Sequence, residues 1–301
     1  MSKNEAIKVA ELQQRRGRSR QAFFEYQYEA ARGSLDEMRR FTDTQNKEML
    51  DLGCGYGGAS VYFAMNGLRV TGADNQLYED KFLKDAIYFA KEKEAVVTFC
   101  LADAHKLPFR RASFDIIRLD SVLEHLENPE VAVSECRRVL KPEGLLFVNF
   151  PLFYSPYGGH TIDYIKIPWF HILPDRLVRQ AIRRQQSKFR IITTDYVEKL
   201  YMSLNKMTLK RYYTLIKQNN LKEIYSEETF YMPHDAALFV NELKSSISTR
   251  SLKNVREKFV DLNRISLIIF IFLFFLYRFP LRFVKPFNEV IVSGIRSVLR
   301  T

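Results

Sequence analysis

Three glycines and one acid form the pattern in this chain that is best suited to binding a ligand. Gly53, Gly55 and Gly58 follow the apolar run 49–52, and Asp74 ends a second apolar run about twenty residues further on. Glycine lets the backbone approach a ligand where a Cβ atom would collide, and the helix that follows offers unpaired N–H groups. An acid at the place of Asp74 can accept a hydrogen bond from a ribose hydroxyl. The spacing therefore predicts a site for a cofactor that contains a nucleoside.

Two further acids indicate the kind of cofactor. Asp51 lies just before the glycine turn, where a carboxylate would repel a pyrophosphate but would suit the ammonium group of an amino acid. Asp103 ends a third apolar run and can accept a hydrogen bond from the amino group of adenine. A cofactor with an adenosine end and an amino-acid end fits both acids better than a nicotinamide dinucleotide does.

Alternating strands and helices must hold these groups in place. We predict strands at about 49–52, 70–74, 98–103, 113–120 and 145–150, with helices at 59–66, 122–126 and 131–140. Strands that alternate with helices form a mostly parallel sheet with helices on both faces, and ligands gather at the carboxyl ends of its strands. Two more strands are predicted at 221–231 and 288–300, with a bulge at Gly294.

This ordered series resembles the class I S-adenosylmethionine-dependent methyltransferases, with a domain similar to their type 11 group. The resemblance covers about residues 49–151 and rests on Asp-x-Gly-x-Gly at 51–55, Asp74, Asp103-Ala104, Phe114-Asp115, Val122–Leu126 and Leu140–Gly144. It implies an α/β fold with a Rossmann-like, doubly wound, mostly parallel seven-stranded sheet, an antiparallel last strand and a substrate-cover insertion. It also implies S-adenosyl-L-methionine as the cofactor, held by Asp51, Gly53, Cys54, Gly55, Asp74, Asn75, Asp103, Ala104, Leu119 and Asp120.

The resemblance divides the chain into four segments. We predict a helical segment over the cofactor site at 1–48, the cofactor-binding core at 49–151, a substrate cover with helices at 152–220, and the last two strands at 221–301 with an apolar excursion at about 232–286. In the cover, His160 oriented by Asp163 is our candidate for the base that takes a proton from a hydroxyl acceptor. The alternative, in which His160 hydrogen-bonds the glycine turn before it, stays open.

Composition narrows the possible partners. The 301 residues carry 46 Lys and Arg against 35 Asp and Glu, and the net charge of +11 favours anionic partners. Cys54, Cys100 and Cys136 are scattered, which argues against a zinc site and a disulfide framework and fits a reducing cytosol. The polar start of the chain predicts no secretory signal. We therefore expect a cytoplasmic protein without a metal site.

A basic run and an apolar run raise the question of a membrane surface. The apolar run 265–277 covers only ~20 Å as a helix, against ~30 Å of hydrocarbon in a bilayer. Three alternatives remain for this run: it is buried in the protein, it mediates oligomerisation, or it dips into one leaflet of a membrane. The sequence does not determine the oligomeric state. On the last alternative the protein is peripheral at the inner face of an anionic membrane. Basic residues without an intervening acid would then meet headgroups: Arg176, Arg179, Arg183, Arg184, Lys188 and Arg190.

We therefore expect a methyltransferase that methylates an oxygen of a lipid-linked glycan, a polysaccharide precursor or another amphiphile. A small hydrophobic acceptor such as a quinone or polyketide is one alternative. From another class, an NAD(P)-binding oxidoreductase would also explain the G-x-G-x-x-G spacing, and so would a module that binds the cofactor without turnover. Nucleic acid is an unfavoured acceptor, because Leu119-Asp-Ser-Val122 stands where amino-directed base methyltransferases carry Asn/Asp-Pro-Pro-Tyr/Phe.

Overall fold

In a computed structural model of the chain, the described residues are 8–9, 11–12, 19–75, 82–155, 170–184, 194–230 and 292–301. One sheet contains the strands β1 (Glu48–Leu52), β2 (Arg69–Asp74), β3 (Val97–Leu101), β4 (Phe114–Asp120), β5 (Leu140–Pro151), β6 (Lys222–Phe230) and β7 (Val292–Arg300). The helices are α1 (Arg20–Met38), α2 (Gly58–Met65), α3 (Phe82–Glu92), α4 (Pro129–Val139), α5 (Asp175–Arg184), α6 (Thr194–Met202) and α7 (Leu209–Gln218). Single 3₁₀ turns occur at Leu123–His125 and Phe170–Ile172.

The sheet has the order β3-β2-β1-β4-β5-β7-β6. Strands β1 to β5 are parallel, whereas β7 lies between β5 and β6 and is antiparallel to both. The predicted doubly wound, seven-stranded sheet with an antiparallel last strand is thereby confirmed. The β6–β7 register also shifts where Thr229 pairs with Gly294 and Phe230 with Val292, as the predicted bulge requires.

Both faces of the sheet are buried, because apolar side chains of one strand point alternately to either face. Successive residues of a strand point to opposite faces. Leu50 and Ile117 belong to the core on which α4 and α7 pack, and Met49 and Ile116 belong to the core on which α1 and α2 pack. Full burial of such a side chain contributes about 1.5–3 kcal/mol. Burial on both faces therefore fixes the strand register that aligns the carboxyl ends of β1, β2 and β4.

Helix α1 lies directly over the start of α2. Its first turn is capped by Ser19, whose hydroxyl accepts a hydrogen bond from the backbone N–H of Ala22 at 3.0 Å. A Cβ atom on Gly58 would lie 2.2 Å from the carbonyl oxygen of Phe24. The absence of a side chain at Gly58 is what lets the two helix backbones touch. This contact seats α1 over the glycine-rich turn that follows β1.

The helix predicted at 122–126 is wrong, because the chain makes only one 3₁₀ turn there. The side-chain amide of Asn205 donates to the carbonyls of Leu123 and Leu126 at 2.7 and 2.8 Å. The backbone N–H of Asn205 donates to the carbonyl of Glu124 at 2.9 Å. The linker between α6 and α7 thus satisfies the carbonyl groups that a longer helix would have paired internally.

The segment after β5 has a small core of its own. Phe153, Val178, Ile182 and Tyr201 are buried together between the end of β5, α5 and α6. The apolar run 265–277 and most of the predicted excursion lie outside the described residues. Across the part of the chain that is described, no helix is both long and apolar enough to cross a bilayer. The division into four segments stays a prediction.

Two carboxylates, one at the start of β4 and one on α4, are paired with basic side chains. Asp115 accepts a hydrogen bond from Lys141 Nζ at 2.7 Å, and Glu135 accepts one from Arg138 Nε at 2.7 Å. Burial alone would raise the pKa of Asp115, but its hydrogen bonds and nearby lysines lower it below the ordinary value. The hydrogen bond from Arg138 lowers the pKa of Glu135. Both groups therefore contribute stability that is present above their unfolded pKa and is lost as the pH falls through the folded pKa.

We predict that acid destabilises the protein in part through Glu135. The substitution Glu135→Gln should lower the melting temperature at neutral pH by the equivalent of roughly 1 kcal/mol. The effect should shrink as the pH falls below the unfolded pKa of about 4.3 and through the lowered folded pKa. Thermal melting between about pH 7 and pH 3 measures this. The exposed Glu127→Gln serves as the control. An effect of Glu135→Gln that grows toward low pH would contradict the prediction.

Candidate functional site

The glycine loop (residues 53–58) is fastened to the end of β2. The backbone N–H groups of Gly53 and Cys54 donate to the carbonyl of Ala73 at 2.7 and 3.2 Å. Gly53 has a φ of +79°, and a Cβ atom there would lie 2.3 Å from Cγ2 of Val122. Only glycine suits both this backbone conformation and this space. The loop is therefore held between the carboxyl ends of β2 and β4.

Asp74 turns back to the glycine loop. Its Oδ2 accepts a hydrogen bond from the backbone N–H of Gly55 at 2.9 Å. Leu52 pairs in register with Ala73 on one side and with Leu119 on the other, so β1, β2 and β4 end at the same level. The acid predicted to bind ribose, the loop and the residues that end β4 thus line one edge of the sheet.

Asp103 extends this edge beyond β3. It accepts hydrogen bonds from the backbone N–H of His105 at 2.9 Å and from ring Nδ1 at 2.7 Å. The other ring nitrogen accepts from the backbone N–H of Asn128 at 3.2 Å. Because Nε2 is an acceptor, the proton of the neutral ring resides on Nδ1 and points to Asp103. Asn75 is exposed at the end of β2, and Ala104 is buried beside Asp103.

A buried ionic network lies beneath the glycine loop. Asp51 accepts hydrogen bonds from Ser60 Oγ at 2.6 Å and from Arg118 Nη1 at 2.9 Å, and it is fully buried. The other guanidinium nitrogen of Arg118 is ion-paired with Asp120. Asp120 also accepts from Asn149 Nδ2 at 2.7 Å. Contact between Asp51 and the amino-acid end of a cofactor stays a prediction, since both of its oxygens are engaged within the protein here.

The charges of this network hold each other in place. Burial alone would lower the pKa of Arg118, but Asp120 and Asp51 raise it above the ordinary value. The guanidinium is therefore charged at every relevant pH. It also lies over the ring of Phe63, 5.5 Å from the ring centroid, which adds a cation–π contact on the α2 side.

The cysteines do not have the environment of nucleophiles. Burial raises the pKa of the Cys54 thiol well above its ordinary value, and raises that of Cys136 to about 12. A thiol of raised pKa carries little thiolate at neutral pH and packs as a small apolar group. Within the described ranges, no group of three or more His, Cys, Asp or Glu residues is placed to hold a metal ion.

Helix α1 closes the glycine loop through a single amide. Gln27 Nε2 donates to the carbonyl of Cys54 at 3.2 Å, and Gln27 Oε1 accepts from the backbone N–H of Gly58 at 3.4 Å. The side chain thereby satisfies one group at each end of the loop. Movement of α1 would break both bonds, so Gln27 couples the position of α1 to that of the glycine loop.

The predicted base and its partner, His160 and Asp163, lie outside the described residues, and their role stays a prediction. Two described histidines on either side of β5, His171 and His125, make contacts that connect neighbouring segments. His171 is buried, with Nε2 2.6 Å from the carbonyl oxygen of Phe153. His125 Nδ1 lies 2.9 Å from Ser203 Oγ, which ties the turn after β4 to the end of α6.

The sequence prediction missed four residues of this site: Gln27, His105, Arg118 and Asn149. A signal existed for two of them. Arg118 and Asn149 interrupt apolar strands, and a polar group on a buried strand needs a partner. No local signal marks Gln27 and His105, whose partners Cys54 and Asn128 are 27 and 23 residues away in the sequence.

Known proteins match the part of the chain that forms this edge. Residues 50–148 match the family model described as "Methyltransferase domain". A ubiquinone biosynthesis O-methyltransferase of Idiomarina loihiensis is 35% identical over 104 residues, which are 34% of this chain and 42% of that enzyme. A norajmaline N-methyltransferase of Rauvolfia serpentina is 32% identical over 120 residues, 38% of this chain and 41% of that enzyme. The match thus spans less than half the length of either relative.

A solved structure resembles the whole fold. Phosphoethanolamine N-methyltransferase 2 of Haemonchus contortus, in complex with S-adenosyl-L-methionine, aligns with a TM-score of 0.52. The alignment covers 94% of this chain and 57% of that chain at 17% identity. At this identity the likeness concerns the fold alone.

We predict that alanine lowers the free energy of unfolding more at Gly53 than at Gly55. Gly53→Ala should cost about 2–4 kcal/mol of unfolding free energy, since it combines a positive φ with a collision against Val122. Gly55→Ala should cost less, about 1–2 kcal/mol, because its Cβ would meet only the flexible side chain of Gln27 at 3.1 Å. Urea unfolding without ligand measures both, and equal costs would show that the collision is absent.

We also predict that the buried network is essential for stability. Arg118→Met should cost about 3–5 kcal/mol, because it removes the cation that pairs with the buried carboxyl of Asp51. The control is Arg69→Met, which removes a surface ion pair with Glu48 at 2.6 Å and should cost less than about 1 kcal/mol. Urea unfolding at neutral pH compares the two variants. Similar costs would mean that the network is relaxed or hydrated in solution.

Proposed function

We propose that this chain, whose residues 50–148 belong to the methyltransferase-domain family, transfers the methyl group of S-adenosylmethionine to an oxygen of an amphiphilic acceptor. The acceptor class we favour is a lipid-linked glycan or a polysaccharide precursor. The observation that carries the methyl-transfer part is the single edge at which the glycine loop, Asp74 and Asp103 meet. The structural relative from Haemonchus contortus was solved with the same cofactor.

The residues at this edge suit S-adenosylmethionine in charge and in hydrogen bonding. Asp74 would accept from the ribose hydroxyls and Asp103 from the adenine amino group. Hydrogen bonds from the backbone and ring of His105 lower the pKa of Asp103, so its carboxylate is ionised and ready to accept. Leu119 and Asp120 would border the cofactor at the end of β4. The bound cofactor supplies a methyl group that its sulfonium already activates.

The protein's own part in the reaction is to align the acceptor and to exclude water. Gln27 fixes α1 over the glycine loop, and the ionic network fixes Asp120 at the end of β4. A hydroxyl acceptor must also lose a proton. We propose His160, oriented by Asp163, as the base, since a neutral imidazole is suited to that transfer near neutral pH.

An exposed apolar and basic surface after β5 supports the amphiphilic character of the acceptor. Ile172, Leu173 and Leu177 are 52%, 41% and 47% exposed at and before the start of α5. Arg176 and Arg184 of α5 are also exposed, while the other two arginines of this helix pair with an acid of α6. Aliphatic side chains beside cations suit the headgroup region of an anionic bilayer. We therefore propose peripheral contact with the inner face of the membrane.

Two other functions differ in their support. A small hydrophobic acceptor such as a quinone is the second candidate, and the likeness to a ubiquinone biosynthesis O-methyltransferase favours it. The similar likeness to an N-methyltransferase leaves the acceptor atom to experiment.

An NAD(P) oxidoreductase is disfavoured by topology, because the dinucleotide-binding sheet has the order 3-2-1-4-5-6, whereas here an antiparallel β7 separates β5 from β6.

We predict methyl transfer from labelled S-adenosylmethionine to a lipid-soluble product. The full chain is incubated with methyl-labelled cofactor and membranes from its source cells, and the label is partitioned between organic and aqueous phases. Asp74→Ala should weaken cofactor binding about 10- to 100-fold, because hydrogen bonds to a charged group are lost. The control Asp43→Ala changes an exposed aspartate outside the site.

The phase in which the transferred label is found distinguishes the alternative acceptors. Label in the organic phase that Asp74→Ala strongly reduces and Asp43→Ala retains supports the proposal. Mild acid hydrolysis of the product then distinguishes a glycolipid from a quinone. Aqueous label with the same dependence would keep the methyltransferase and refute the amphiphilic acceptor. Cofactor binding without transferred label would favour a module without turnover.

A further inference from the structure

A row of four polar residues crosses the sheet near its carboxyl edge. In register, Asp120 of β4 pairs with Asn149 of β5, Asn149 with Arg296 of β7, and Arg296 with Glu227 of β6. Paired residues of neighbouring strands point to the same face of a sheet. On this face the next position along β5 is Phe147, which is buried in the core under α1. The polar row therefore begins where that apolar core ends.

The row lies beneath a cleft that is open to solvent. Ser34 and Glu37 of α1 line this cleft from one side, and Asp120, Asn149 and Arg296 line it from the sheet. We call it the polar cleft. Carboxylate, amide, guanidinium and hydroxyl groups are thus offered together at one solvent-open cleft.

At the polar cleft, Arg296 is only loosely paired with the two glutamates near it. Arg296 Nε lies 3.7 Å from Glu37 Oε2, and Arg296 Nη1 lies 3.8 Å from Glu227 Oε2. An N–H···O hydrogen bond spans roughly 3 Å, so neither pair is bonded directly. By contrast, Arg118 is bonded to Asp51 at 2.9 Å in the network below. The donors of Arg296 and the acceptors of Glu37 are therefore placed to bond a ligand.

Glu37 is a largely buried carboxyl of the cleft. Its side chain is 14% exposed. Burial raises its pKa above the ordinary value, and the nearby Arg296 opposes that rise. A carboxyl withdrawn from water needs a hydrogen-bond donor to offset its lost solvation. A ligand hydroxyl in the cleft would supply that donor.

The polar cleft and the cofactor residues lie on opposite sides of the switch in strand order. That order reverses between β1 and β4. The glycine loop, Asp74 and Asp103 belong to the β1–β2–β3 half, and the cleft belongs to the β4–β5–β7 half. Asp120 at the end of β4 both lines the cleft and borders the predicted cofactor site. A second substrate that approaches the cofactor from the β5 side would therefore meet this cleft.

We propose that the polar cleft binds the hydroxyl groups of a sugar or another polyol on the acceptor, through Glu37, Asn149 and Arg296. This inference rests on the proposed methyltransferase function and names the polar part of its substrate. Hydroxyl groups donate to carboxylates and accept from guanidinium and amide groups, so a polyol satisfies all three. A phosphate would face the carboxylates of Glu37 and Asp120, and an apolar ring would leave them unpaired. Both fit the cleft less well.

The test measures glycoside binding to the full chain saturated with S-adenosylhomocysteine. The probes are the methyl glycosides of glucose, galactose and rhamnose, and saturation-transfer NMR titration gives their affinities. Glu37→Gln should weaken binding at least about fivefold, because it removes an acceptor for hydroxyl groups. The matched control is Glu25→Gln on the same helix, whose carboxylate bonds Gln21 at 2.8 Å; it should leave the affinity unchanged.

A second variant keeps the test valid if Glu37→Gln folds poorly. Arg296→Gln changes a side chain that is 44% exposed, and it should weaken the same glycosides to a similar degree. A purely structural role for these residues would lower the melting temperature and leave glycoside affinity intact. No glycoside binding by the wild type, or binding that neither variant alters, would overturn the proposal.

Calorimetric titration of S-adenosylhomocysteine in the same samples separates the two possible failures. Cofactor binding without glycoside binding would refute the polyol assignment and leave the proposed methyltransferase intact. Absence of cofactor binding in the wild type would refute the proposed function itself, and with it the substrate role of the cleft.

Discussion

One buried guanidinium, shared between two carboxylates, is the interaction on which the site depends. Arg118 of β4 joins Asp51 on β1 to Asp120 at the end of β4, and Asn149 carries the network to β5. A charge removed from water is tolerated only where its partners are close and well oriented. The ends of three strands are therefore held in one arrangement, on which the glycine loop and the end of β4 rest.

The antiparallel strand β7 determines which polar side chains lie together in the β4–β5–β7 half of the sheet. Because β7 enters between β5 and β6, it brings Arg296 beside Asn149 on one side and Glu227 on the other. The parallel half of the sheet thus offers glycines and acids that suit an adenosine, and the other half offers mixed polar groups beneath α1. If both proposed ligands bind, they would meet at the end of β4, with Asp120 beside each of them.

Local patterns were sufficient where one element carries its own signal. The apolar runs of the first five strands, the positive-φ glycine after β1 and the acids after β2 and β3 are each visible within a few residues. The helix predicted at 122–126 failed, because Asn205, a residue about eighty positions later, bonds the carbonyls of that turn. Capping by a distant side chain leaves no trace in a short window of sequence.

The sequence by itself determined the order of strands and helices, the position of the glycine loop and the acids at the edge, since hydrophobic periodicity and glycine conformation are local properties. Only the tertiary structure decided that Arg118 is buried between two acids, that Gln27 closes the loop and that Arg296 meets Glu37. These contacts join residues that are far apart along the chain. Their geometry follows from strand register and helix packing, which depend on the burial of the whole core.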